Sequence, residues 1–155
     1  MLLLSDATLL PVPPAWLGTT AELRSFAGPA DASGALADVA IDLAPALPLA
    51  PVHLAAVRGV TGDIAFSWMR RSRADTDGWA ADDAPLDYAP ETYRLVVFNG
   101  ITAVRTIDIA TPSAIYTAIQ QTTDFGAPPA SFSFTVAQKS PLYGPGPATT
   151  AIFTA

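Results

Sequence analysis

Alternating apolar and polar positions predict a series of short strands from residue 51 onward. The clearest case is the range 63–69, where Ile64, Phe66 and Trp68 fall on one face and smaller or polar side chains on the other. Successive side chains of a strand point to opposite faces, so this spacing predicts a half-buried strand. Comparable patterns predict strands over six further ranges: 52–57, 92–98, 101–109, 113–118, 131–138 and 148–153.

Turn residues and breaks in the alternation separate these strands. Asn99-Gly100 is a strong hairpin signal between two of them. The return strand is predicted to place one set of side chains on one face, namely Ile101, Ala103, Arg105, Ile107 and Ile109, with Val104 and its polar neighbours on the other. The range 114–121 also fits one or two helical turns, and the Pro- and Gly-rich range 141–147 predicts a loop. Asp124 is expected to cap a turn, with Gly126 in a backbone conformation that other residues rarely adopt.

The first 50 residues have a different texture, rich in Ala and Pro and poor in aromatic side chains. The range 38–43 alternates and predicts one short strand. Pro45, Pro48 and Pro51 predict an extended connector, because each fixes φ and disfavours helix in the residue before it. We therefore predict two parts, an N-terminal arm or small β segment over 1–50 and a domain over 51–155. The arm has too few large apolar residues to hold its own core, and we expect it to lie against a partner or on the following domain.

Seven short strands in about 100 residues predict an all-β fold, an antiparallel β-sandwich. Their order matches a fibronectin type III plan, with a Pro-led first strand, a second strand ending in Trp68 and a third carrying Tyr93. Trp68 is expected to fill the centre between the two sheets. The absence of cysteine excludes the disulfide core of antibody domains.

Composition excludes several classes of function. The chain has 155 residues and a formal net charge of −6, which disfavours binding to nucleic acid phosphates. Zero cysteines exclude thiolate catalysis and zinc–thiolate sites. No apolar stretch approaches the roughly 20 residues that a membrane-spanning helix needs, so we expect no membrane insertion.

No arrangement of residues indicates catalysis. The single histidine, His53, has no acidic neighbour in sequence, and the chain contains no Gly-x-Ser-x-Gly motif. Asp82 and Asp87, a candidate carboxylate pair for glycoside hydrolysis, fall on a loop and not at strand ends. In Gly144-Pro-Gly146, proline removes an amide donor that a phosphate-binding loop would use. The sequence predicts no enzyme activity and no cofactor.

The polar range 70–91 concentrates charge, with three arginines followed by six of the fourteen acidic residues, and it also carries several large apolar side chains. Arginine and aromatic residues are enriched at interface hot spots, so one interpretation is a protein-contact loop. A solvated loop held by Arg–Asp pairs and an irregular calcium site on its carboxylates are the alternatives. An EF-hand is excluded, because Arg73 and Ala84 stand where its end ligands belong. The candidate contact residues are Arg70, Arg71, Arg73, Trp79, Leu86 and Tyr88, together with Tyr143 in the 141–147 loop.

A set of short strings spread over residues 45–155 resembles one family. These are Pro51-Val-His-Leu54, Gly62-Asp-Ile64, Ser67-Trp-Met-Arg-Arg-Ser-Arg73, Asp77-Gly-Trp79, Pro85-Leu86, Glu91-Thr-Tyr93, Val104-Arg-Thr106, Tyr116-Thr-Ala118, Asp124-Phe-Gly126 and Val136-Ala-Gln-Lys-Ser140. In this order they resemble the C-terminal end of the large tail-tip protein of gene transfer agents and related siphophages, also described as a TIM-barrel-like or host-specificity tail protein. Where the family usually has Pro-Leu-Gly-Glu, this chain has Pro85-Leu-Asp-Tyr88, so the loop has diverged.

The resemblance implies a virion protein at the distal end of a non-contractile tail, with a fibronectin III-like fold. It implies a structural or adhesion role in contact with the tail hub or a fibre, in several copies of a symmetric assembly. Direct binding of a host receptor or glycan is the alternative, and exposed Trp79, Tyr88 and Tyr143 would then cluster on one rim. A third alternative is a fragment of a cell-wall hydrolase whose catalytic part lies elsewhere. The family's upstream glycoside-hydrolase-like regions have no counterpart here.

Overall fold

A computed structural model describes residues 12–73 and 85–155 and divides the chain between Ala46 and Leu47 into two compact units. The sequence predicts this boundary near residue 50. Each unit has its own secondary structure, and each is considered by itself. Over the described ranges, no helix combines the length and the apolar character that crossing a bilayer requires.

The N-terminal unit is built on a two-stranded antiparallel hairpin. Strand β1 spans Thr20–Ser25 and strand β2 spans Ala35–Ala40, with short 3₁₀ turns at Pro14–Trp16 and Ala44–Ala46. The carboxylate of Asp31 closes the loop between the strands by accepting hydrogen bonds from the backbone N–H groups of Ala27 and Gly34. Strand β2 corresponds to the strand predicted over 38–43 but lies earlier in the chain, and the sequence did not predict its partner β1. No residue of the described hairpin is fully buried.

The C-terminal unit is a two-sheet antiparallel sandwich. Its elements are β3 (Val52–Arg58), β4 (Ile64–Met69), β5 (Tyr93–Asn99), β6 (Thr102–Ile109), β7 (Ser113–Tyr116), α1 (Ala118–Phe125), β8 (Ser131–Ser140) and β9 (Gly144–Thr154). One sheet has the order β3-β4-β7 and the other the order β6-β5-β8-β9. Seven strands in this arrangement form a fibronectin type III-like sandwich, which confirms the predicted fold class.

The core lies between the inner faces of the two sheets. Ile64, Phe66 and Trp68 of β4 are buried as their alternation predicts. Trp68 packs edge-on against Tyr93, with ring centroids 5.3 Å apart, so both aromatic side chains occupy the predicted interior positions. Further buried side chains from the second sheet complete the core: Leu95, Val97, Phe132, Phe134, Val136 and Phe153.

The region after β6 contains both of the structures that its sequence left open. Strand β7 ends at Tyr116, and α1 begins one residue after Thr117. Thr117 caps the helix, because its side chain accepts from the N–H of Gln120 while the Gln120 side chain accepts from the N–H of Thr117. Gly126 ends the helix with φ 81°, as its predicted backbone freedom requires.

Two other sequence predictions are wrong in part. The predicted loop over 141–147 is strand from Gly144 onward, and Pro145 and Pro147 are accommodated because β9 is an edge strand. In β6 the register with β5 shifts so that Val104 is an extra residue between the pairs Val97–Arg105 and Phe98–Ala103. This bulge turns Val104 toward the core and leaves Ala103 exposed, against the predicted alternation.

Asp124 does not cap a turn. It lies in α1, and its carboxylate accepts two hydrogen bonds from the Arg105 guanidinium, at 2.6 and 2.9 Å, and a third from the Tyr116 hydroxyl at 2.6 Å. Burial acts to raise the pKa of Asp124, but the hydrogen bonds from Arg105 and Tyr116 outweigh it and hold this pKa below its ordinary value. The residue fastens α1 to β6 and β7.

Candidate functional site

The predicted contact residues gather at one end of the sandwich, where the chain leaves β4, enters β5 and turns between β8 and β9. Six of the seven are described, and Trp79 lies outside the described residues. The arginines of this set bind carbonyl and carboxylate oxygens of the sandwich, whereas its described aromatic residues contact each other.

Two of the three arginines hold the segment 47–51 against the sandwich. Arg71 donates from Nε to the carbonyl of Ala50 at 2.8 Å, and Arg73 donates from a terminal nitrogen to the carbonyl of Leu47 at 2.5 Å. Pro48 is fully buried, and its carbonyl oxygen lies where a side chain at position 146 would have to go. From Leu47 onward, the segment that proline spacing predicts as a connector is therefore fastened to the sandwich. This explains why the unit boundary falls at residue 46.

The third arginine belongs to a partly buried polar cluster. Arg70 pairs with Glu91 at 3.2 Å, and the hydroxyl of Tyr93 donates to the same carboxylate oxygen at 2.6 Å. Burial and then the Glu91 carboxylate raise the pKa of Tyr93 well above its ordinary value, so this hydroxyl keeps its proton at physiological pH. Nearby, Asp87 accepts from the Ser72 hydroxyl at 2.5 Å and from the N–H of Arg73 at 3.1 Å. These contacts set the course of the chain on both sides of the 74–84 segment.

The two described aromatic members of the set, Tyr88 and Tyr143, meet each other, and both are half-buried where the sequence predicts exposed rings. The rings of Tyr88 and Tyr143 pack edge to face with centroids 6.5 Å apart. The Ser140 hydroxyl orients the turn that carries Tyr143 by accepting from the N–H groups of Leu142 and Tyr143, both at 3.2 Å. Leu86 and Leu142 stand nearby in sequence with 42% and 76% of their surface exposed.

Every charged side chain in the described part of the sandwich has a polar partner within the same unit. Arg94 makes a two-bonded pair with Asp108, and Lys139 joins the same carboxylate at 2.7 Å. Arg105 pairs with Asp124 as given above. The remaining pairings are those of Arg58 with the Pro129 carbonyl and Gln121, and of Asp63 with Thr61 and the N–H of Ala118. The described surface of the sandwich therefore presents no cation or carboxylate that is without an internal partner.

The described residues contain no candidate metal centre, since no three His, Cys, Asp or Glu side chains come together in them. Four carboxylates of the calcium hypothesis lie outside the described residues, those of Asp75, Asp77, Asp82 and Asp83, and with Asp82 one member of the candidate Asp82–Asp87 pair. His53 is exposed at the β-bulge of β3, where its φ of 52° is positive. Among the described residues, no acidic side chain is recorded as hydrogen-bonded to it.

The N-terminal hairpin carries an apolar surface that sequence reasoning did not single out. Cross-strand pairing puts Ala21 and Val39 opposite each other on one face, followed by Leu23 and Ala37. The other face carries Glu22 opposite Asp38. The apolar face forms a groove of about 410 Å³ lined by Val12, Pro13, Trp16, Ala21, Leu23, Val39 and Ile41. Its signal in the sequence is weak, because β1 offers only Ala21 and Leu23 as an alternating pair.

Exposure on this groove is high for large side chains. Trp16 is 50% exposed, Leu23 48% and Val39 41%. A two-stranded hairpin is marginally stable alone and usually needs a further strand or a packed surface over its apolar face. We call this groove the hairpin face. Exposed apolar surfaces of this kind are typical of sites that bind another protein or another part of the chain.

Comparison with known proteins identifies no relative by sequence. No protein-family model matches the chain. No curated protein matches it either. Among solved structures, one similar chain is the rat CD45 extracellular region, domains d3–d4, with 14% identity and a TM-score of 0.47 over 100% of this chain and 74% of that chain. A likeness of this degree carries no information about what this chain does.

Proposed function

We propose that this chain is a non-catalytic structural and adhesion module of a phage or gene-transfer-agent tail tip. Its hairpin face attaches it to another tail-tip or baseplate protein, a hub or a fibre. The observation that carries the docking role is the open hairpin face, a groove with no polar residue in its lining. The tail-tip setting, and with it a location in the virion, rests on the ordered strings shared with the tail-tip family.

The chemistry of the hairpin fits a docking element. Burying apolar surface contributes about 25 cal/mol per Å², so covering Trp16, Leu23 and Val39 gives a partner a favourable contact. The opposite face carries the charged side chains of Glu22, Arg24 and Asp38. Burying charged groups is costly, so the apolar face is the one suited to a partner.

The sandwich fits the role of a rigid spacer. The charged side chains that the structure describes in it are engaged within the unit, and its core contains an aromatic cluster in which Phe66, Phe132 and Phe134 lie in mutual contact. Rigid β-sandwiches position loops for contact without needing to move, and repeated copies around a tail would add avidity to weak individual contacts.

The test uses tails assembled without this chain, to which the purified protein is added back. Leu23→Ala removes an apolar side chain from the hairpin face and should weaken binding roughly 5- to 30-fold, the range of a 1–2 kcal/mol interface contact. Leu36→Ala is the matched control, since Leu36 is 55% exposed on the opposite face of the same hairpin. Electron cryo-microscopy of the reconstituted tails should place the chain at the tip. Equal losses for the two variants, or no binding to tails, would contradict the proposal.

Direct binding to a host receptor or glycan is the second candidate, and the contact between Tyr88 and Tyr143 favours it. Aromatic rings on a rim offer apolar faces against which a sugar ring can pack. The same purified chain is therefore also added to whole host cells without tails. Cell binding that is lost in Tyr143→Ala and kept in Leu23→Ala would support this candidate over the first. Turnover of peptidoglycan by the purified chain would contradict both.

A further inference from the structure

The turn between β5 and β6 carries the only asparagine of the chain. Asn99 ends β5 and pairs with Thr102, the first residue of β6, so Gly100 and Ile101 form a two-residue loop. Gly100 has a φ of 61°, and Ile101 is not among the residues with positive φ. Positive φ at the first loop residue alone is the pattern of a type II′ turn. Asn99 is therefore followed by a glycine at the tip of a tight hairpin.

The side-chain amide of Asn99 and the N–H of Gly100 both lie in open surroundings. Asn99 and Gly100 are exposed, and a Cβ placed on Gly100 would meet no heavy atom within 4 Å. The hydrogen bond of such a turn joins the carbonyl before the loop to the N–H after it, so the N–H of Gly100 takes no part in it. Among the described residues, no hydrogen bond is recorded to this N–H or to the Asn99 amide.

The other side-chain amides of the chain belong to three glutamines with different surroundings. Gln121 is fully buried, and its amide nitrogen donates to two backbone carbonyls. Gln138 is 1% exposed. Gln120 closes the cap at the start of α1. The amide of Asn99 is therefore the one that stands at an exposed turn.

We propose that Asn99 is a site of spontaneous deamidation. The backbone nitrogen of Gly100 loses its proton and attacks the side-chain carbonyl carbon of Asn99. The bond from this carbon to Nδ2 breaks, and the amide nitrogen leaves with the proton as ammonia, which closes a five-membered succinimide ring. Water from the solvent opens the ring at either carbonyl and gives aspartate or β-linked isoaspartate. One water is consumed and one ammonia released, with no oxidation or reduction.

Glycine after asparagine favours this attack for steric reasons. The ring forms only when the nitrogen of the following residue turns toward the asparagine side chain, a movement that a Cβ on that residue hinders. Glycine has no Cβ and has the widest backbone freedom of all residues. The open surroundings of Gly100 leave room for the movement.

The modification changes both the charge and the backbone of the turn. It adds one negative charge to a chain whose net charge is −6, and isoaspartate also adds one atom to the backbone. Only two pairs, Phe98–Ala103 and Asn99–Thr102, lie between the turn and the bulge at Val104. The additional atom is therefore expected to disturb the tip of the hairpin and to leave the buried core in place.

Intact-mass spectrometry of the full chain tests the proposal after incubation at mildly alkaline pH, which favours loss of the Gly100 proton. Replacing an amide by a carboxylate raises the mass by about 1 Da, and peptide mapping should assign this gain to the single asparagine. Asp77 is also followed by glycine, but its succinimide forms by loss of water and regains that mass on hydrolysis. The gain in mass is therefore the deciding measurement, and isoaspartate content alone is not.

The folded chain is compared with the chain unfolded in guanidinium chloride. We expect the folded chain to convert within about tenfold of the unfolded rate, a difference in barrier of about 1.4 kcal/mol. Global unfolding cannot supply this rate, since the unfolded fraction of a stable domain is far smaller. Slower conversion of the folded chain than this, or none, would overturn the proposal, because the hairpin would then protect Asn99.

Asn99→Gln is the matched control. It keeps an amide at the turn, but the same attack would have to close a six-membered ring, so its mass should stay constant over the same period. A circular dichroism melt checks that this variant is folded. A gain in mass equal to that of the wild type would overturn the proposal, because the glutamines would then be its source.

Discussion

Asp124 offers the sharpest test of how the sandwich is held together. Its side chain is 7% exposed and accepts hydrogen bonds from Arg105 and from Tyr116, whose own side chain is fully buried. Asp124→Asn keeps the shape of the side chain but removes its charge and replaces one acceptor oxygen with a donor. The Arg105 guanidinium and the Tyr116 hydroxyl would then compete for one remaining acceptor.

The expected cost follows from the burial of this group. Removing one partner of a buried ion pair costs about 3–5 kcal/mol, and the Arg105 side chain is 25% exposed, which places this pair at the lower end. We therefore expect Asp124→Asn to lower the free energy of unfolding by about 3 kcal/mol. At roughly 4–8 °C per kcal/mol for a domain of this size, the melting temperature should fall by roughly 12–24 °C.

Urea unfolding followed by tryptophan fluorescence measures this cost, with Asp108→Asn as the control. Asp108 makes the same two-bonded contact with Arg94, at 2.9 and 3.0 Å, but its side chain is 46% exposed. Exposed ion pairs contribute up to about 1 kcal/mol, so the control should lose much less stability. Equal losses in the two variants would refute the argument that burial determines the contribution of the pair.

The same residue should make stability depend on acidity. Burial raises the pKa of Asp124, but the hydrogen bonds from Arg105 and Tyr116 lower it by more. In the folded chain this pKa therefore lies below the value of about 3.9 for an unfolded aspartate. Its contribution is therefore complete above about pH 4 and is lost as the pH falls through the folded pKa. The difference in unfolding free energy between the wild type and Asp124→Asn should shrink between pH 5 and pH 2. A difference that stays constant over this range would contradict the linkage.

Three further predictions concern single residues of the sandwich. Gly146→Ala should destabilise the sandwich by more than about 2 kcal/mol in thermal melts, because a Cβ there would collide with the backbone carbonyl of Pro48. Gly126→Ala should cost only about 1 kcal/mol, since its φ is positive but its surroundings are open. Thr117→Ala should cost about 1 kcal/mol by removing the cap on the N–H of Gln120, and Thr117→Ser should restore most of that loss.

The fold could be predicted where the alternation within a single strand is enough to identify it, without knowledge of the strands that pair with it. In β4 the alternation of Ile64, Phe66 and Trp68 gives the strand, its buried face and the central position of tryptophan from local spacing alone. Local spacing fails in β6, because the bulge at Val104 shifts the alternation and depends on pairing with β5. It also fails at Pro145 and Pro147, which are compatible with strand only because β9 lies at an edge.

The candidate contact residues show the same limit. The sequence brings Arg71 and Arg73 into one short range with aromatic residues, which is the composition of an interface. Their structural partners are the carbonyls of Ala50 and Leu47, more than twenty residues earlier, and no local pattern reveals them. Asp124 was misassigned for the same reason, because its partner Arg105 lies on another element.

Most of the charge in the sandwich is already used within its own unit. Asp108 accepts hydrogen bonds from Arg94 and Lys139, and Asp124 accepts them from Arg105. A binding partner that used these groups would compete with, or add to, contacts that already exist. The hairpin face involves no such competition, because every side chain that lines it is apolar. Association through the hairpin face would gain its free energy from covering apolar surface.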